Sequence, residues 1–218
     1  MYNIQYWLLS DTKAPTEREN GWISTPTKIM IIRHAEKPPK HSNQDGPWDV
    51  LVNGQSGNGA SLIVPGWQRE GALNTFFAPY QSAPSNSEIA TPDYIYAADP
   101  SGETHRPCET VTPLAAWLNY AQGSAQFNVS YSVGGGEPDL VKSVLARSGV
   151  VLICWEHDNI MPNIVGRIND SKYPIANYSA IPNAWPDVFY LVWVFDLNGS
   201  SYTWTSVNQN LVAGDVQS

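Results

Sequence analysis

Two histidines and two arginines stand where a nucleophile could be presented and an anion held. His34 directly follows the apolar run KIMIIR, and His157 follows VVLICWE. Arg33 precedes the first histidine, and Arg106 lies in the turn between the run DYIYA and the helical segment beyond it. Imidazole offers a nitrogen nucleophile near neutral pH, and a guanidinium presents a rigid fork of donors that matches phosphate oxygens. One histidine at a strand end is commonly structural, and one arginine is commonly a surface charge. Two of each, at equivalent strand ends, point to a single anion site.

The elements that must position them are legible as periodic segments. Residues 28–32, 150–155 and 188–195 are apolar, β-branched runs that read as strands buried on both faces. Residues 93–97 read as a further strand and 127–133 as an edge strand. Helical spacing places Leu73, Phe76, Phe77 and Tyr80 on one face of a helix over 66–81. The same spacing predicts a helix over 108–120 through Val111, Leu114, Ala115 and Leu118, and another over 159–168 through Ile160, Ile164, Val165 and Ile168. Pro138 suits the first turn of a helix that Gly149 stops, and Asn198-Gly199 turns a hairpin into 202–205. This alternation predicts an α/β fold, a three-layer sandwich with a mostly parallel central sheet and helices on both faces. Ligands of such sheets lie beyond the carboxyl ends of the strands, the side on which all four residues fall. The division expected is an N-terminal extension, residues 1–27, and one domain, residues 28–218. Two irregular stretches, 37–65 with Trp48 and 169–187 with Tyr173, Tyr178 and Trp185, are expected to rim the pocket.

Composition narrows the partners. The 218 residues carry 12 basic and 20 acidic side chains, a net charge of −8. Tracking a nucleic-acid backbone needs clustered Lys and Arg, so no nucleic-acid partner is expected. No window has the length of a membrane span, and the first 20 residues lack the pattern of a signal peptide. A cytoplasmic setting and no membrane partner follow as expectations. Two cysteines, Cys108 and Cys154, are too few for a disulfide framework. With His105 and His157 they could offer zinc two Cys and two His. However, Cys154 lies inside a buried strand, and residues three apart on a strand point to opposite faces. No metal and no cofactor are expected.

The strings IMIIRHAEKP, AADPSGETHRPCETVTPLAAWL and VLICWEHDNI, in this order and spacing, resemble the three motifs of the histidine phosphatase superfamily, phosphoglycerate mutase-like proteins of the small Arg-His-Ala type. The resemblance spans roughly residues 28–195. It implies a phosphatase that hydrolyses a small phosphomonoester through a phosphohistidine intermediate. His34 would be the nucleophile, and Arg33, His34, Arg106 and His157 would bind the phosphate. The acid that protonates the leaving oxygen is left between Asp158, placed as in the acid phosphatase branch, and Glu137, placed as in the mutase branch. Two alternatives stand beside this reading: a non-catalytic module that binds a phosphorylated ligand, and a mutase-like phosphotransferase. The large helical insertion of the mutases, expected between the second motif and the strand leading to His157, is missing from the sequence.

Overall fold

Continuous apolar strands form the middle of the sheet, where both faces must be covered. The computed structural model describes residues 25–39, 59–102, 104–123 and 125–215. In it β1 (Pro26–Arg33) pairs in parallel with β4 (Gly149–Trp155), in a register that runs from Lys28 opposite Val150 to Arg33 opposite Trp155. Beside β4 lies β2 (Tyr94–Ala98), and outside that the edge strand β3 (Gln126–Tyr131), both parallel to it. On the other side of β1, β5 (Leu191–Asn198) and β6 (Ser201–Asn208) add antiparallel. The sheet has six strands in the order β3-β2-β4-β1-β5-β6. It is mixed but mostly parallel.

Alternate strand residues enter two separate cores. Ile29, Ile31, Val151, Ile153 and Trp155 meet Leu140, Val141 and Val144 of α3 (Glu137–Leu145) together with Ile160, Ile164 and Ile168. Met30, Ile32, Leu152 and Cys154 meet Leu73 and Phe77 of α1 (Val64–Phe77) and Val111, Leu114 and Leu118 of α2 (Arg106–Gln122). That period of two is the pleat read directly as chemistry. Full burial of such side chains stabilises by about 1.5–3 kcal/mol each.

Several local expectations shift. Helix α1 ends at Phe77, so Tyr80 lies beyond it, 71% exposed, instead of on the buried face. The helical segment after β4 is continuous from α4 (His157–Asn159) through a π-helical turn (Ile160–Val165) into α5 (Gly166–Asn169). Strand β5 begins at Leu191, because Val188 and Phe189 serve a turn held by the Trp185 indole N–H on Val188 O (3.2 Å). The β5–β6 loop is Gly199-Ser200, one residue later than expected, with Gly199 at φ +64° in the left-handed region that favours glycine. Trp185, expected on the pocket rim, is buried with its ring 4.6 Å from that of Trp193. Trp48, together with residues 1–24 of the expected N-terminal extension, lies outside the described residues. No described helix is long and apolar enough to cross a membrane.

The start of α1 is docked on the segment that follows β1. Ile63 N–H donates to Glu36 O at 3.1 Å, and a Cβ built on Gly66 would meet Glu36 O at 2.6 Å and Glu36 N at 3.1 Å. Both atoms are backbone and cannot rotate away. Gly66→Ala should therefore destabilise the fold by about 1–3 kcal/mol, the usual cost of overpacking, read as a lower midpoint in urea.

Candidate active site

The carboxyl ends of three adjacent strands, β2, β4 and β1, bring the four residues to one edge of the sheet. Arg33 is the last residue of β1, and His34 extends the ladder by donating its N–H to Trp155 O at 3.1 Å. His157 follows β4 by two residues, and Arg106 opens α2 after β2.

His34 is fully buried. Its Nδ1 lies 2.7 Å from Ala35 O, and since a carbonyl can only accept, Nδ1 carries the proton. The neutral ring then leaves a lone pair on Nε2, which is buried and has no hydrogen-bond partner among the described residues. Burial is the largest influence on this imidazole and holds its pKa well below the ordinary 6.5. The Ala35 bond opposes that, while the nearby charges of Arg106, Arg33 and Lys37 reinforce it. A neutral imidazole with one nitrogen fixed and the other open can act as a nucleophile without changing tautomer.

Arg33 is held from its outer side. Its side chain is 1% exposed, and NH1 donates to Asp187 Oδ1 at 2.9 Å and reaches Val188 O at 3.5 Å. The guanidinium carbon lies 4.1 Å from the centroid of Phe189, an aromatic face that favours a cation. Nε is buried and has no partner among the described residues. The hydrogen bond from Arg33, with its charge, keeps the Asp187 carboxyl below the usual carboxylate range.

The loop carrying His34 is fixed by two further clamps. Ala35 N–H donates to Thr110 Oγ1 at 2.9 Å, and Thr110 Oγ1–H donates to Arg106 O at 2.7 Å, so a side chain one helical turn beyond Arg106 ties α2 to the loop that carries His34. Glu109 accepts from Ser61 Oγ (2.6 Å) and Leu62 N (3.2 Å), and Arg106 NH1 donates to Gly59 O at 2.5 Å. The second clamp is Arg69, buried in α1. It grips Glu36 through Nε at 3.1 Å and NH2 at 2.6 Å, and Asp215 through NH1 at 3.0 Å and NH2 at 2.6 Å. Burial opposes the Arg69 charge, but the bonds to Asp215 and Glu36 outweigh it and raise its pKa. Breaking a buried pair of this kind by removing one partner costs about 3–5 kcal/mol.

His157 sits between carboxylates. Glu156 Oε1 lies 2.8 Å from its Nδ1 and Asp158 Oδ1 lies 3.3 Å from its Nε2. Burial first, and then the charge of Arg33, pull its pKa below 6.5 against the two acids. Asp158 is 72% exposed, and the helix after β4 is capped not by it but by Glu156, whose side chain accepts Asp158 N–H at 2.9 Å. Glu137 is 2% exposed and spends both oxygens on N–H donors: Gly134 N (2.8 Å), Gly135 N (2.9 Å) and Trp155 Nε1 (3.1 Å). Glu156, His157 and Asp158 place donor atoms within 4.8 Å of one another, the one such group among the described residues with the chemistry to hold a metal ion. Cys154 packs in the core against α2 and Cys108 stands on that helix; burial pushes the Cys108 thiol up to about 11 and raises that of Cys154 well above its ordinary value.

Sequence reasoning missed Thr110, Arg69, Asp187 and Phe189. Thr110 had a usable signal, its four-residue spacing from Arg106. Asp187 and Phe189 had none, because their contact with Arg33 crosses more than 150 positions.

Fold and site together define an α/β protein with a buried, neutral histidine and a clamped arginine at the carboxyl edge of its sheet. No family model and no curated protein matches the chain. Among solved structures it is similar to a protein assigned as the phosphohistidine phosphatase SixA from Agrobacterium tumefaciens. The identity is 14% over 84% of this chain and 96% of that one, with a TM-score of 0.42.

Because the folded His34 binds its proton more weakly than a free imidazole, its Nε2 lone pair persists below pH 6.5. A reaction that uses this lone pair should therefore have its acid limb below 6.5, and stability should decline as pH drops through 6.5, where the unfolded chain takes up the proton that the native site refuses. Rate profiles and urea midpoints between pH 4.5 and 8 check both signs; an acid limb above 6.5 contradicts this picture.

Proposed function

We propose that the protein is a phosphatase of the histidine phosphatase type, hydrolysing a small phosphomonoester through a phosphohistidine on His34. The observation that carries this reading is the pair of open, buried nitrogens on consecutive residues, Arg33 Nε and His34 Nε2. A buried donor without a partner is costly by about 1–3 kcal/mol, so an anion that satisfies it is bound with that advantage. The two cores on opposite strand faces support the three-layer sandwich that belongs to this reading, and a cytoplasmic setting is part of the proposal.

In the first step His34 Nε2 attacks phosphorus in line with the leaving oxygen. The P–N bond forms, the P–O bond to the alcohol breaks, and the alkoxide takes a proton from an acid. In the second step water attacks the phosphohistidine, giving its proton to the base left by that acid. The P–N bond breaks, inorganic phosphate leaves, and His34 is again neutral. Arg33, Arg106 and His157 bear on the non-bridging oxygens, where donors in a water-poor site act most strongly. Asp158 is supported as the acid by its exposure and its contact with His157. Glu137 fits that role less well because both its oxygens are already engaged. The connection from β3 to β4 holds α3 alone, nine residues, which weighs against a mutase.

His34→Ala should abolish turnover, and Arg106→Ala should lower kcat by about 10²–10³, the usual loss of one preorganised donor. Asp158→Asn should slow an alkyl phosphate strongly while sparing nitrophenyl phosphate, whose leaving group needs no proton. Equal slowing of both substrates would remove Asp158 as the acid, and a selective loss in Glu137→Gln would move the role there. Tight phosphate binding without release from any ester would instead identify a binding module.

A further inference from the structure

One buried hydroxyl bears on the peptide that follows His34. Thr110 is 1% exposed and spends its own hydrogen on Arg106 O at 2.7 Å, one turn back in α2. That bond leaves the oxygen's lone pairs to accept from outside the helix, and Ala35 N–H takes one of them at 2.9 Å. Thr112, two residues further on, makes the same back bond, to Cys108 O at 2.7 Å. Thr110 is set apart by the second segment it reaches and by the place it reaches there. The Cα that carries the His34 ring and the Cα whose carbonyl lies 2.7 Å from Nδ1 are joined by one peptide unit, that between residues 34 and 35. The N–H of that unit is the group Thr110 accepts. A rotation of this peptide plane would swing Ala35 O away from the ring.

We infer that Thr110 is a positioning residue for His34: through Ala35 it fixes which ring nitrogen carries the proton, and through Arg106 O it holds the open nitrogen in register with the start of α2. The first half stands on the geometry alone, and the consequence for turnover rests on the phosphatase reading above. Without the hydroxyl, Ala35 N–H would lose its acceptor in a buried place, and buried N–H groups are rarely left so. The peptide would turn towards another partner, and Ala35 O would leave Nδ1. The two neutral tautomers of the ring would then compete. A serine at this position keeps the oxygen, whereas a valine keeps the shape and loses it.

The test reads the ring nitrogens of His34 by long-range proton–nitrogen NMR of the full chain with isotope-labelled histidine at neutral pH, its signals identified by their loss in His34→Ala. Wild type and Thr110→Ser should show one neutral tautomer with the proton on Nδ1. Thr110→Val should show both tautomers, or signals averaged between them. Thr112→Val loses the same back bond from the same helix and should keep the wild-type pattern, with urea midpoints recording the stability each variant loses. If Thr110→Val does not fold, Thr110→Ala takes its place. Against nitrophenyl phosphate, Thr110→Val should lower kcat by roughly 10–10²-fold, the cost of a reacting group held slightly out of place, and Thr110→Ser should stay near wild type. A Thr110→Val protein that keeps the single Nδ1-protonated tautomer, or a Thr112→Val protein that loses it equally, overturns the inference and leaves the phosphatase reading standing. If the tautomer responds as expected but wild type releases phosphate from no ester, the phosphatase reading falls and the role of Thr110 in fixing the tautomer remains.

Discussion

The hydrogen bond from His34 Nδ1 to Ala35 O is one contact of 2.7 Å, yet the chemistry available at this sheet edge depends on it. It decides which ring nitrogen carries the proton, and therefore which one can attack. Burial decides that no second proton arrives. Had the ring been exposed, both tautomers and the imidazolium would compete near neutral pH, and the open nitrogen would be a matter of population. Here the tautomer is set by a backbone oxygen that belongs to the same turn. Much of the surrounding structure holds that turn still.

Three elements converge on it. Strand β4 fixes His34 through Trp155 O, α2 fixes Ala35 through Thr110, and α1 fixes Glu36 through Ile63 and Arg69. Arg69 also holds Asp215, whose Oδ2 accepts from Leu211 N and Val212 N, so residues from both ends of the described chain are tied at one guanidinium. Arg33 is treated similarly from the opposite side by Asp187 and Phe189. Two buried arginines thus act in different ways: Arg69 is saturated by carboxylates and is structural. Arg33 keeps an Nε without a partner among the described residues.

The parts of the fold visible in the sequence were those in which one physical signal dominated. KIMII and VVLICW are continuous apolar runs because both faces of a central parallel strand are covered, and they stand where expected. Charge and composition could not say that β5 would run antiparallel to β1, since pairing direction leaves no mark on a strand buried on both faces. The start of β5 was misplaced because Val188 and Phe189 look like strand residues but serve the Arg33 clamp. The π-helical turn at Ile160–Val165 keeps the apolar spacing of a helix and so was hidden within it. The strand-end positions of Arg33, His34, Arg106 and His157 were legible because chain direction in a parallel sheet sends all carboxyl ends to one edge. Their supports were not, because Arg69 and Asp187 act over long separations in sequence.

Arg33, buried beside His34, places positive charge locally in a protein whose net charge is −8. The proposed function turns on His34 as the nucleophile. The most direct measurement is to mix the protein with a phosphomonoester, quench rapidly in alkali, where a phosphohistidine survives, and locate the phosphoryl group by peptide mass spectrometry and phosphorus NMR. One acid-labile phosphoryl group on His34, attached at Nε2, is the expected result. Turnover with no phosphoenzyme under conditions that would trap it, or a phosphoryl group on any other residue, would contradict it.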